Sequence, residues 1–313
     1  MNNQESRVGR VVRQERGIWT VEMNSSTWQV EHIRGEMRPV AGDFVELREG
    51  LEAIERVLPR RSVVVRRAAG TRTEPQVLAA NADVALVVMG LDGDYNPRRL
   101  ERYLAMAAGG GVRAAVLLNK SDLVCEPEVR AAEVRRLGTG APVVVLSAIR
   151  DDAGLLLGGL VKRGETAVLL GSSGAGKSTL VNRLLGHEAQ TTGPVRARDE
   201  RGRHTTTSRR LIAMPGGWSL IDLPGLREVG LMPGMADLEG AFVSILGMAE
   251  RCRFRDCTHT VEPGCAVREA AEPGQMESLR KLRDETRFSD KQEAKRRQRA
   301  IRAFQRTERF NRW

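Results

Sequence analysis

Two groups of residues in this chain have the types and spacing of chemical sites. The first is Gly171-Ser172-Ser173-Gly174-Ala175-Gly176-Lys177-Ser178, followed by Thr179. It fits the phosphate-binding pattern G-x-x-x-x-G-K-[ST]. Glycines here let backbone N–H groups wrap a phosphate without Cβ clashes. Lys177 would reach the outer phosphates of a nucleotide, and the Ser178 hydroxyl would ligate Mg²⁺. The second group is Cys252, Cys257, His259 and Cys265. Three thiolates and an imidazole make a closed tetrahedral zinc site, which leaves no open position for catalysis. The competing reading is a chance cluster of buried thiols.

The base is read elsewhere. Asn119-Lys120-Ser121-Asp122 follows the apolar run 114–118, and Ser147-Ala148 follows 142–146. Both sit at the carboxyl ends of expected strands, where ligands bind in open α/β sheets. The Asp122 carboxylate can accept from guanine N1–H and the 2-amino group together. Adenine offers neither donor, so a buried Asp122 would be left unpaired. Asn119 would bond the purine edge, the Lys120 stem would lie on the ring, and the Ala148 N–H would face O6. The nucleotide expected is therefore GTP or GDP.

Asp222-Leu223-Pro224-Gly225, after the apolar stretch 218–221, matches the Asp-x-x-Gly element of Ras-like GTPases. Thr205-Thr206-Thr207 supplies switch threonines, with Thr206 taken as the second protein ligand of magnesium. The order is rotated, because the base-reading elements precede the phosphate loop. The chain resembles a circularly permuted GTPase. With its flanking regions it is similar to the ribosome small-subunit-dependent GTPase A family, over essentially its whole length. That resemblance implies GTP hydrolysis with Mg²⁺ and one structural zinc on the four Cys/His ligands. It implies 30S subunits and 16S rRNA as partners, and a role in late small-subunit maturation. The subunit would stimulate hydrolysis, and hydrolysis would drive release. Two rivals are a GTP-gated rRNA-binding module whose turnover is incidental and a membrane-surface GTPase.

Ras-like enzymes orient the attacking water with a Gln just after Asp-x-x-Gly. Here that position is Leu226. His204 is the candidate replacement, beside Lys177 and Thr206 in the expected catalytic set. A switch histidine touching RNA or solvent is the alternative, and Arg201 and Arg203 are rival charge stabilisers.

These residues need a scaffold. The chain has 313 residues, 41% hydrophobic, with 50 Lys/Arg against 40 Asp/Glu and a net charge of +10. A basic balance of this size points to an acidic partner, nucleic acid first and a membrane surface second. The start has no apolar signal core, and no run approaches a membrane span of ~18 residues. A cytoplasmic monomer is expected. Alternating runs with Gly, Asn and Asp turns over residues 1–70 suit a small β-barrel, an OB-fold rather than an SH3-like barrel. Val63 to Val65 is read as one of its strands. Trp19 and Trp28 could stack on bases or fill the barrel core. Residues 71–237 read as alternating strands and helices, an α/β Ras-like P-loop domain in permuted order. Gly109-Gly110-Gly111 ends the helix opened by Pro97. Cys125 reads as a structural thiol. Residues 238–313 read as a mostly helical zinc-binding and basic domain. Its last stretch, 276–313, carries thirteen Lys/Arg against six Asp/Glu, densest at Lys295, Arg296, Arg297 and Arg299. That helix would grip rRNA phosphates or simply face solvent.

Overall fold

The structure is a computed structural model that describes residues 7–15, 17–68, 74–187, 209–226, 229–272 and 274–286. The first strands are β1 (Val8–Glu15), β2 (Ile18–Met23), β3 (Ser26–Val30), β4 (His32–Ile33), β5 (Phe44–Leu47) and β6 (Ala53–Val57). β1 pairs antiparallel with β2 and β5, β2 with β3, and β5 with β6. β4 continues the line of β3 and pairs parallel with β6, which closes a five-stranded barrel of the OB type. Alternation decides its interior: Val11, Trp19, Val21, Val30, Val45, Leu47 and Ile54 point inward. Trp19 is buried, and its indole N–H donates to Pro39 O at 2.8 Å, so it is core and not a stacking platform.

Packing changes owner after β6. β7 (Val63–Arg67) pairs with β8 (Pro75–Ala80) in a separate two-stranded sheet. Val64, Leu78 and Ala79 join the central core rather than the barrel core. The strand expected at 63–65 thus leaves the barrel, and a division at residue 70 cuts this hairpin. The reason is its partner: 75–80 lies beyond residue 70 and draws β7 with it.

The central unit follows as β9 (Val84–Gly90), α1 (Pro97–Gly109), β10 (Arg113–Asn119), α2 (Pro127–Arg136), β11 (Val143–Val145), α3 (Ala153–Leu157), β12 (Thr166–Leu170), α4 (Lys177–Leu185), β13 (Arg209–Met214) and β14 (Trp218–Asp222). Its sheet order is β11-β10-β9-β12-β14-β13, parallel except for β13 at the edge. β9 shows why it is central. Ala85, Val87 and Met89 face one core with α1 and α2, while Val84, Leu86 and Val88 face the other with α3 and α4. A strand apolar on both faces needs helices on both. α1 starts as read: Asn96 caps Arg99 N at 3.0 Å with Pro97 in the first turn.

The flanking parts are joined to this unit. β1 pairs antiparallel with β13, so barrel and central sheet are continuous. After α5 (Leu238–Ala241), α6 (Val243–Leu246) and α7 (Ala266–Ala270), residues 275–286 are helical. Leu279 and Leu282 of that helix bury against the α1 side of the central core. Cys125 is exposed, which removes the structural role expected for its thiol.

Candidate functional site

β12 is buried at every position and feeds the phosphate loop at the sheet's carboxyl end. Gly176 shows why the loop needs glycine. Its φ is +93°, and a Cβ there would lie 2.2 Å from Asn119 Nδ2. α4 begins at once, with Lys177, Ser178 and Thr179 in its first turn. The Lys177 ammonium is buried and donates to Gly171 O at 3.0 Å and Ser172 O at 2.6 Å. Burial lowers its pKa to about 8, against the opposing charges of Asp222 and Asp94. Asp222 ends β14 and is buried.

Asn119 gathers three motifs. It ends β10, the strand next to β9, and its side chain is buried. Its Nδ2 donates to Ala175 O at 2.9 Å, and its Oδ1 accepts from Ala148 N at 2.9 Å. The sequence reading gave Asn119 to the purine edge and the Ala148 N–H to guanine O6. In the structure these two groups bond each other, and Asn119 ties the phosphate loop to the base loops. Buried amide groups take the nearest partner, and here protein supplies it.

Asp122 Oδ1 accepts from Ser147 Oγ at 2.6 Å, and Ser147 N donates to Asp151 Oδ2 at 2.7 Å. The Asp122 carboxylate is thereby oriented with capacity to accept further donors. Ser121 lies in the same short turn, which Lys120 enters in the left-handed region at φ 65°. Lys120 Nζ meets Asp92 Oδ2 at 2.6 Å. Burial alone would raise the Asp92 carboxyl, but hydrogen bonds from Lys120 and the Asp94 N–H hold it below its usual range.

Gly225 follows β14 and packs against the phosphate loop, close to the Ser173 backbone. Leu226 N donates to Gly171 O at 3.1 Å, and the Leu226 side chain is buried in the core. The side chain after Asp-x-x-Gly is therefore held in the apolar core. His204 and Thr206 lie outside the described residues, as do Arg201, Arg203 and the basic cluster Lys295 to Arg299.

Sequence reasoning missed Asp92 and Asp94. Asp94 Oδ2 accepts from Ser172 Oγ at 2.5 Å and Oδ1 pairs with Arg99 Nη2 at 2.5 Å. The available signal was Asp-Gly-Asp at the carboxyl end of a fully buried strand.

Cys252, Cys257, His259 and Cys265 converge: their ligand atoms all lie within 4.8 Å of one another. Cys252 Sγ and Cys265 Sγ are 4.0 Å apart, and both lie near His259 Nδ1, at 3.7 and 3.5 Å. Tetrahedral zinc with Zn–S ~2.3 Å and Zn–N ~2.05 Å needs edges of about 3.8 and about 3.6 Å. The donor set and spacing fit that ion. His259 holds φ 60°, which folds the short knuckle between Cys257 and Cys265. Backbone N–H groups of Val267 and Ala266 draw the Cys252 thiol below its ordinary pKa.

The RsgA GTPase family model matches residues 57–232. A small ribosomal subunit biogenesis GTPase RsgA of Opitutus terrae is 48% identical over 77% of this chain and 70% of its own length. Its counterpart in Xylella fastidiosa strain M12 is 44% identical over 88% of this chain and 85% of its own. The Methanosarcina acetivorans protein of the same name is 43% identical, covering 81% and 71%. Two crystal structures share the fold. YjeQ from Thermotoga maritima has a TM-score of 0.60 at 23% identity, over 90% of this chain and 98% of that one. YloQ, described as a circularly permuted GTPase, has 0.63 at 20%, over 92% and 98%.

Proposed function

The chain belongs to the RsgA GTPase family, and from that premise we propose that it hydrolyses GTP while assisting late maturation of the small ribosomal subunit. The observation that carries this reading is Asn119. One buried amide joins the phosphate loop to the Ser147-Ala148 loop, although the chain visits them in rotated order. Asp122, oriented by Ser147, would read guanine N1–H and the 2-amino group. Lys177 would turn from the carbonyls of Gly171 and Ser172 to the phosphates. Ser178 and Thr206 would hold Mg²⁺, which neutralises charge developing on the phosphates.

Cys252, Cys257, His259 and Cys265 would hold one zinc ion and lock the C-terminal domain. The barrel and the basic stretch 276–313 would contact 16S rRNA, and the net charge of +10 supports such a partner. A monomer working in the cytoplasm suits this role. No helix among the described residues is long and apolar enough to cross a membrane.

Leu226 favours a second reading, a GTP-gated rRNA-binding module with incidental turnover. Its buried side chain offers the attacking water neither donor nor acceptor. GTP turnover with and without 30S subunits separates the two. Large stimulation by 30S, with weaker 30S association after hydrolysis, fits the enzyme. GTP-dependent 30S binding with unstimulated turnover fits the gate. On the first reading His204→Ala cuts stimulated turnover by ~10²-fold and leaves GTP affinity intact. Full stimulated turnover in that variant removes His204 from the chemistry.

A further inference from the structure

The turn Asp92-Gly93-Asp94 leaves the carboxyl end of β9, between the strands that carry the base loop and the phosphate loop. It is built tightly. Asp94 N donates to Asp92 Oδ1 at 3.3 Å, Tyr95 N to Asp92 O at 3.0 Å, and Leu91 N to Asn119 O at 2.8 Å. Gly90 makes room for it, since a Cβ there would lie 2.5 Å from Asp92 Oδ1. Every oxygen of the two carboxylates has a partner. Asp92 Oδ2 takes Lys120 Nζ, Asp94 Oδ2 takes Ser172 Oγ, and Asp94 Oδ1 takes Arg99 in the first turn of α1.

A carboxylate beside a polyphosphate site is electrostatically unfavourable to the ligand. Asp94 therefore needs a compensating role, and its contacts supply one. It fixes Ser172, whose carbonyl accepts from Lys177 Nζ, and Arg99 offsets its charge. Asp92 does the same at the other end of the site, for Lys120, whose stem would lie beside the base.

We propose that Asp92 and Asp94 are positioning residues for nucleotide binding, with Asp92 setting Lys120 for guanine and Asp94 setting Ser172 and the phosphate loop. The two ends of the ligand are then held by one three-residue turn. The inference rests on the reading of the site as one for GTP and GDP.

The test measures affinities of the full chain for GDP and for guanosine, which lacks phosphate. Asp94→Ala should weaken GDP about tenfold, the low end for a hydrogen bond to a charged group. It should leave guanosine unchanged. Ser172→Ala should do the same, and the double variant should be no worse than either single. Asp94→Asn keeps an acceptor for Ser172 and should restore most of the affinity. Asp92→Ala should weaken guanosine and GDP alike, non-additively with Lys120→Ala. A merely structural role would lower guanosine and GDP affinity equally in Asp94→Ala. That result overturns the proposal, as do unchanged GDP binding or strictly additive losses. If Asp94→Ala does not fold, Ser172→Ala, which removes one hydroxyl, decides by its GDP-to-guanosine ratio. Failure of the unaltered chain to bind GDP would overturn the GTPase reading itself.

Discussion

Lys177 makes GTP binding pH-dependent in a range where most lysines are silent. In the ligand-free fold burial lowers its pKa to about 8 from 10.5, with Asp222 and Asp94 too weak to restore it. A triphosphate beside the ammonium raises it again, because opposite charge favours the protonated form. Binding therefore takes up a proton wherever the free protein has lost one. Below about pH 7 the lysine is charged in both states and adds no pH dependence. At about pH 8 half the free molecules lack the proton, and Kd roughly doubles. At about pH 9 some nine-tenths lack it, and Kd is about tenfold weaker, equivalent to ~1.4 kcal/mol. Calorimetry with GDP in two buffers of different ionisation enthalpy reads the uptake directly, near half a proton at about pH 8. The same shift acts on folding with a definite sign. Between about 8 and 10.5 the unfolded chain holds the proton that the folded chain has released, so this group adds stability as pH rises. Lys177→Ala should weaken GDP and abolish the slope together. A flat Kd from about pH 7 to about pH 9 with no buffer-dependent heat would refute the reasoning.

The remaining predictions concern base choice, the metal and the C-terminal contact. Asp122→Asn should weaken GTP and shift preference toward xanthine nucleotides, whose 2-oxo group needs a donor; competition binding with GTP and XTP reads this. Elemental analysis should find one zinc per chain. Cys257→Ala or a chelator should unfold the C-terminal domain by circular dichroism while GDP affinity persists, because the cluster packs with Ile245 and Val267 in a core of its own. Glu101, buried in α1, accepts a hydrogen bond from Ser278 Oγ of the C-terminal helix, and burial raises its pKa to about 7. Above that pH the buried charge costs up to about 3 kcal/mol relative to an unfolded carboxyl near 4.5, and the cost disappears as pH falls between the two values. Glu101→Gln should therefore raise Tm at about pH 8 and not at about pH 5; equal shifts at both would contradict the titration.

What the sequence revealed depended on how local each feature is. The phosphate loop, Asp-x-x-Gly and the Cys/His set are short segments whose chemistry is carried by neighbours in the chain, and each could be read directly. Asn119 shows the limit. Its residue type and place at the end of β10 were legible, but both polar atoms bond to segments 29 and 56 residues away. Nothing in the local pattern says that its amide will be consumed internally. Asp92 and Asp94 were missed for the same reason, because an Asp-Gly-Asp turn looks like any solvated turn until β12 places Ser172 beside it. The hairpin β7–β8 was misassigned because Val63 to Val65 has the same alternation whichever core it enters. Only the partner strand distinguishes the two.

The permuted order has a further physical consequence. The sheet places β9 and β14 on either side of β12, so the chain enters the GTPase unit at the amino end of β9 and leaves it at the carboxyl end of β14, on the side of the phosphate loop. The appended parts attach there. Past Gly225, Leu226 O accepts from Tyr103 Oη, Val229 O from Arg102, and Leu231 N donates to Glu285 of the C-terminal helix. Glu285 in turn pairs with Arg102 at 2.7 Å. At the other edge, Gln14 of the barrel pairs with Arg209, the first described residue after the segment that bears Thr206. The segment past Gly225 is thus bonded to the C-terminal helix, and Arg209, three positions past Thr206, to the barrel. Each such hydrogen bond is worth ~0.5–1.5 kcal/mol net, so a few of them reach the 1–3 kcal/mol typical of coupling between sites. If GTP shifts either stretch, these bonds must break or the flanking domain must follow. Linkage then requires the reciprocal effect: whatever holds the barrel or the C-terminal helix biases the nucleotide site by the same free energy.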